Sequence, residues 1–270
     1  MNLNKSDLLK LNGLEFGNDG FNSSSHLYRD DYIIYKIFDN EYFFNEDVEK
    51  NIDFQISHFI PNVPVIFDKI YMDGMFRGYT MEYLENTITF RNACYVKLSY
   101  DVCVNVCKNI YECIKFLNRR NIFLGDIHMD NFLIDNNGYG YVVDLDYMNR
   151  LGDNFKFNRL YDIKLNHNSN KIIISSLKTD NIKSMICCLS ILFGIDLERK
   201  FVSVDRVIDL ENVYEVFIKS LGIGELNQYF YNLISDDEVD YFDDFLLKNY
   251  YKILNNGNVM VKNRGLRLKK

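Results

Sequence analysis

The sequence predicts an α+β fold, and three features predict it. Short runs rich in β-branched and aromatic residues, at 32–38, 65–67 and 77–84, crowd the first 84 residues around one helix-like segment. From Leu98 onward, apolar residues recur mainly at intervals of three and four, the period of a helix. Between the helical stretches lies a hairpin signal. Two apolar runs, 132–135 and 141–144, flank Asn136-Asn137-Gly138, residue types that tolerate positive φ.

The bulk properties bound the function. The 270 residues are enough for one large domain or two small lobes, with 47% hydrophobic and 26% charged residues. A net charge of −7 argues against a general nucleic-acid binder. The basic stretch 262–270 reads as a solvated end, with a partner or membrane contact as the lesser reading. The longest apolar run, 185–195, is interrupted by Ser190 and is too short to span a bilayer. No signal-peptide pattern opens the chain, so a cytoplasmic site is expected, although a specialised secretion route would leave no such mark. The six cysteines make no Cys-x-x-Cys pair and read as buried free thiols.

Taken in order, residues 14–28 form a loop of small residues, including Gly17 and Gly20, whose backbone N–H groups could approach a phosphate. Residues 32–38 follow as a buried strand with Lys36 at its centre. A lysine there either snorkels from a sheet edge or is held in a cleft by a partner. Residues 46–58 are helix-compatible. Val48, Ile52 and Ile56 make one apolar face, and Glu49 at its border is the expected partner of Lys36, with Glu46 second. Pro61 and Pro64 end the helix, and strands are expected at 65–67 and 77–84.

Residues 98–118 read as an amphipathic scaffold helix through Leu98, Val102, Val106, Ile110, Ile114 and Leu117. It runs into Leu124-Gly125-Asp126-Ile127-His128-Met129-Asp130-Asn131. A hairpin after this loop brings Asn131 beside Asp144, with Asp126 just before them. Carboxylate and amide oxygens are the donors that magnesium takes, and phosphoryl transfer needs both a metal and a group to accept the acceptor's proton. In the remainder, the large aromatics at helical spacing read mainly as core.

These pieces, in this order, resemble the protein-kinase-like fold. Its signatures are a Gly-rich loop, a strand lysine, a helix glutamate, a catalytic loop with Asp and Asn five apart, and a metal-binding Asp. They correspond to Gly17 and Gly20, Lys36, Glu49, Asp126 with Asn131, and Asp144. Met81-Glu82-Tyr83-Leu84 looks like the gatekeeper and hinge, and 179–194 resembles the buried helix of the large lobe. The resemblance spans about residues 11–195.

The resemblance implies a single domain over 1–270 in two lobes: a β-rich N-lobe with one helix at 1–84, and a larger, mainly helical C-lobe at 85–270. It implies ATP and Mg2+ as cofactors. Lys36 would hold the α- and β-phosphates and be oriented by Glu49. The backbones of Glu82 and Leu84 would meet the adenine edge, and the loop with Gly17 and Gly20 would cover the phosphates. Asn131 and Asp144 would hold magnesium, Asp126 would be the catalytic base, and Asp180 would brace the catalytic loop.

The departures shape the expected function. Leu124 and Gly125 stand where regulated protein kinases carry His and Arg, so activity should not need activation-loop phosphorylation. Asp144-Leu145-Asp146 replaces Asp-Phe-Gly, and Asp146 would either join the metal site or face solvent. No Ala-Pro-Glu follows the activation segment. Gly125-Asp126-Ile127-His128-Met129-Asp130-Asn131 looks like the loop of aminoglycoside- and choline-type kinases. The expectation is an ATP- and magnesium-dependent, atypical serine/threonine protein kinase acting on a protein substrate. A small-molecule kinase and a non-catalytic pseudokinase binding module are the alternatives.

Overall fold

Lys36 sits in the middle strand of a five-stranded antiparallel sheet in the computed structural model of the chain. The structure describes residues 1–3, 7, 10, 12–14, 25–39, 46–96, 98–150, 162–165, 172–173, 176–235, 237–250 and 252–253. The strands are β1 (Asn12–Leu14), β2 (Ser25–Asp30), β3 (Ile33–Phe38), β4 (Ile66–Met72) and β5 (Met75–Glu82), in the order β1-β2-β3-β5-β4. β4 is longer than the sequence reading of 65–67, and β5 begins and ends two residues before the expected 77–84. The turn between them is Asp73-Gly74, both at positive φ, an Asp-Gly hairpin signal that the sequence carries openly.

Register sets the chemistry of this sheet. Lys36 is directly opposite Tyr79, and Tyr79 is directly opposite Lys69. Directly opposed residues project from the same face, so Lys36, Tyr79 and Lys69 form one cross-strand row. Gly78 keeps β3 and β5 together beside that row. A Cβ there would lie 1.9 Å from the Lys36 carbonyl oxygen.

The helix α1 (Glu46–Ser57) buries Val48 and Ile52 among Phe38, Ile66 and Tyr79. Ile56, one turn further on, is 42% exposed, so the apolar stripe expected from the sequence stops short of the helix end.

Beyond the sheet the described chain is mainly helical. The longest helix, α3 (Tyr100–Asn118), follows the one-turn α2 (Phe90–Ala93) and begins on Ser99, whose hydroxyl accepts the Val102 N–H. Helix α4 (Leu177–Phe193) begins on Ser176 in the same way and ends at Gly194 in a left-handed cap. Cys107, Ile110 and Ile114 of α3 and Ile182, Ile186 and Leu189 of α4 share one core with Phe217, Phe230 and Phe242. All six cysteines are buried free thiols.

The expected hairpin forms between Phe132–Ile134 and Gly140–Val142, and Ile88–Thr89 adds a third strand. It lies against α3. A Cβ on Gly140 would be 3.0 Å from Val106, and the Asn109 side-chain oxygen accepts the Gly140 N–H at 3.1 Å. Among the described residues no helix is long and apolar enough to cross a membrane. The architecture is thus mixed α and β, an N-terminal antiparallel sheet followed by a helical C-terminal part.

Candidate active site

The loop before the hairpin is held from three sides. The Asp180 carboxylate, at the start of α4, accepts the Leu124 N–H at 2.8 Å, and Lys183 donates to the Gly125 carbonyl at 3.5 Å. Glu198, in the short helix Leu197–Phe201, accepts the Met129 N–H at 3.1 Å. Arg91 joins Asp130 at 2.9 Å, Asp196 at 2.5 Å and Glu198 at 3.1 Å. Within the loop, Asn131 Nδ2 donates to the Asp126 carbonyl at 2.9 Å, closing the turn between the two residues. His128 Nδ1 accepts the Asp130 N–H at 3.3 Å, and its Nε2 lies 3.8 Å from Asp126 Oδ2. That is a loop-stabilising position, with the ring close to the Asp126 carboxylate.

The hairpin then delivers Asp144. The Val143 N–H donates to the Asn131 carbonyl at 2.9 Å, so the ladder runs one step past the strand pair. Asp144 adopts φ 64° and ψ 50°, a left-handed conformation that few non-glycine residues take. It turns the chain into the short helical turn Leu145–Tyr147, which folds back over the sheet.

There the Lys36 ammonium meets Asp144 and lies 2.5 Å from Asp146 Oδ2. The Tyr79 hydroxyl donates to Asp146 Oδ1 at 2.6 Å. Burial pushes the Lys36 ammonium toward neutrality, but the Asp144 and Asp146 charges overcome it and hold its pKa well above the usual value. Burial raises the Asp144 carboxyl, and the Lys36 ammonium reverses this to a net lowering. Asp146, with burial dominant and Asp144 adding repulsion, is pushed up to about 6.

The expected Lys36–Glu49 pair is not what the structure contains. Glu49 accepts from Lys69 at 2.8 Å and from the Tyr71 hydroxyl at 2.7 Å, and Lys69 also reaches Asp53 at 2.8 Å. The cause is the cross-strand row: Lys69 presents a second cation on the same face of the sheet, at the edge strand. Helix α1 instead grips the Asp144–Met148 segment with an amide. Asn51 Nδ2 donates to the carbonyls of Asp146 at 2.8 Å and Met148 at 2.7 Å. Asp146 is 1% exposed, which removes the solvent-facing alternative. Tyr79 and Asn51 were not singled out in the sequence, because their roles depend on strand register and helix rotation.

Glu82 is exposed, and its N–H donates to the Val65 carbonyl at 2.9 Å. The Leu84 carbonyl accepts from the Thr87 hydroxyl at 3.2 Å. Gly17, Gly20 and the side chain of Glu46 lie outside the described residues. The structure thus brings Lys36 to Asp144 and Asp126 to Asn131, and it does not bring Glu49 to Lys36.

No protein-family model and no curated protein matches this chain. Among the described residues, no group of three or more His, Cys, Asp and Glu side chains is arranged to hold a metal. The candidate donors are Asp144 and the amide of Asn131, whose nitrogen is committed to the Asp126 carbonyl and whose oxygen is the end that can ligate. Two hard oxygen donors fit magnesium, which keeps waters and phosphate oxygens in its remaining positions.

Proposed function

We propose that this chain is an ATP- and magnesium-dependent phosphotransferase with a two-lobed, protein-kinase-like fold. Its lobes divide near residue 84, and it transfers phosphate to serine or threonine hydroxyls of a protein substrate. The observation that carries the reading is the meeting of Lys36 from the sheet with Asp144 from the hairpin, next to a braced loop that carries Asp126 and Asn131.

Each role follows from chemistry. Lys36 is a buried ammonium whose charge Asp144 and Asp146 favour, suited to phosphate oxygens. Asp126 is half-buried, with its carboxylate near His128, and accepts the proton of the attacking hydroxyl. Asn131 and Asp144 hold magnesium, which supplies charge neutralisation when bound. The braces on Leu124, Met129 and Asp130 keep Asp126 at a fixed height beside the hairpin. A cytoplasmic compartment goes with this reading, since ATP and reduced thiols are found there.

A second reading, a small hydroxyl compound as acceptor, is favoured by Gly125 at φ 78° and by His128 beside Asp126. One experiment separates the two: incubation with terminally labelled Mg-ATP, protein substrates in one arm and amino-alcohols and aminoglycosides in the other. Label on phosphoserine or phosphothreonine supports the first reading, and label only on a small molecule supports the second. No transfer with ATP-dependent stabilisation identifies a pseudokinase, and neither transfer nor stabilisation removes the nucleotide reading.

A further inference from the structure

We infer that Asp146, held by the Tyr79 hydroxyl, is the positioning residue for the Lys36 ammonium, in the place that the family resemblance gives to Glu49. The inference rests on the phosphotransferase reading for its catalytic meaning, while the pairing itself can be tested without nucleotide.

Four observations carry it. Both oxygens of Asp146 are engaged, Oδ2 by Lys36 at 2.5 Å and Oδ1 by Tyr79 at 2.6 Å. The Asp146 side chain is 1% exposed, whereas that of Asp144, the other carboxylate on Lys36, is 36% exposed. Asp144 can therefore turn toward a ligand from solvent, and Asp146 cannot. The Asp146 backbone is also tied to α1 through Asn51, so the helix fixes this carboxylate through an amide. Finally, Tyr79 is directly opposite Lys36 in the sheet, so β-sheet register alone sets the hydroxyl that orients Asp146 beside the lysine that Asp146 orients.

The physical logic is that of a buried ion pair. An ammonium as enclosed as that of Lys36 needs a fixed anionic partner, and a partner locked by a second hydrogen bond loses little freedom in serving it. Glu49 is one-third exposed and already bound by Lys69 and Tyr71, so its transfer to Lys36 would leave Lys69 with one carboxylate in place of two.

The test uses the full chain without nucleotide, at a single mildly alkaline pH. Lysines are modified with trinitrobenzenesulfonate, and the rate at Lys36 is read by peptide mass spectrometry. Asp146→Asn should raise the Lys36 rate at least fivefold, and Tyr79→Phe about twofold to threefold. Glu49→Gln should leave it within a factor of about 1.5 while raising the rate at Lys69. If Asp146→Asn does not fold, Tyr79→Phe decides. Unchanged Lys36 modification in the folded Asp146 or Tyr79 variants, or a rise in Glu49→Gln, overturns the inference.

The catalytic part is read in the same variants as a split between constants. Tyr79→Phe should lower kcat, normalised to folded protein, severalfold with KM for Mg-ATP changed less than threefold, and an unchanged kcat per folded molecule would contradict it. Expected labelling without any transfer by the wild type would sink the phosphotransferase reading and leave the Lys36–Asp146 pair standing. Active wild type with unresponsive labelling would do the reverse.

Discussion

The Asp180 carboxylate accepts the backbone N–H of Leu124 at 2.8 Å, a bond between the first turn of α4 and the residue two before Asp126. Burial pushes Asp180 up to about 7, against the backbone N–H groups of Leu124 and Gly125, which favour the charged form. Its folded value is raised above its ordinary 3.8, so the folded state binds this proton more tightly. The stabilising contribution is complete below about pH 4 and is lost as pH rises through about 7. Asp180→Asn should therefore gain stability relative to wild type between those limits, read as urea midpoints at both ends. Asp180→Ala, which orphans the two N–H groups, should cost about 1–3 kcal/mol.

Arg91 is the cation for three carboxylates, and the side chains of Asp196 and Glu198 are 6% and 3% exposed. Arg91→Met removes the guanidinium that the three carboxylates share and leaves Asp196 to the more exposed Arg199 at 3.6 Å. The expected loss is about 3–5 kcal/mol, measured by urea unfolding. Arg91→Lys, which keeps the charge but not the fork of donors, should recover part of it.

Gly78→Ala tests the sheet beneath Lys36. The added methyl would meet the Lys36 carbonyl oxygen at 1.9 Å, a backbone atom that cannot swing aside, so the strands must part. A loss of about 3 kcal/mol is expected, at the upper end of overpacking. Gly224→Ala is the control: nothing lies within 4 Å of its added Cβ at the start of a helix, and it should stabilise by about 0.5 kcal/mol. Thermal melts of the two variants should move in opposite directions.

Lys36→Met removes the ammonium between Asp144 and Asp146. Loss of such a preorganised charge should lower transfer from Mg-ATP by about a hundredfold or more, read as initial rates. Turnover at the wild-type rate would remove Lys36 from the site.

Much of the scaffold is legible in the sequence because its signals are local. The three-and-four spacing from Val102 to Leu117 yields a helix over Tyr100–Asn118, and Asn-Asn-Gly marks the turn between Phe132–Ile134 and Gly140–Val142. The bracing position of Asp180 is legible only through the family resemblance of 179–194. The pairing of Lys36 is not legible, because it depends on which residues share a row across three strands. Lys69 falls in that row only because a bulge between Ile70 and Tyr71 shifts the register that the Asp73-Gly74 turn sets, and it then takes Glu49. Asp146 could not be oriented from sequence either. The left-handed Asp144 swings it inward, and Tyr79, 67 positions earlier, supplies the hydroxyl that keeps it there.

The measurement that bears most directly on the central claim is phosphate transfer from terminally labelled Mg-ATP by wild type and Asp126→Asn, with nucleotide affinity measured alongside. The account predicts transfer by the wild type, loss of at least about a thousandfold in the variant, and Mg-ATP affinity nearly unchanged, because Asp126 serves the acceptor and not the metal. Equal transfer by the two proteins would contradict it.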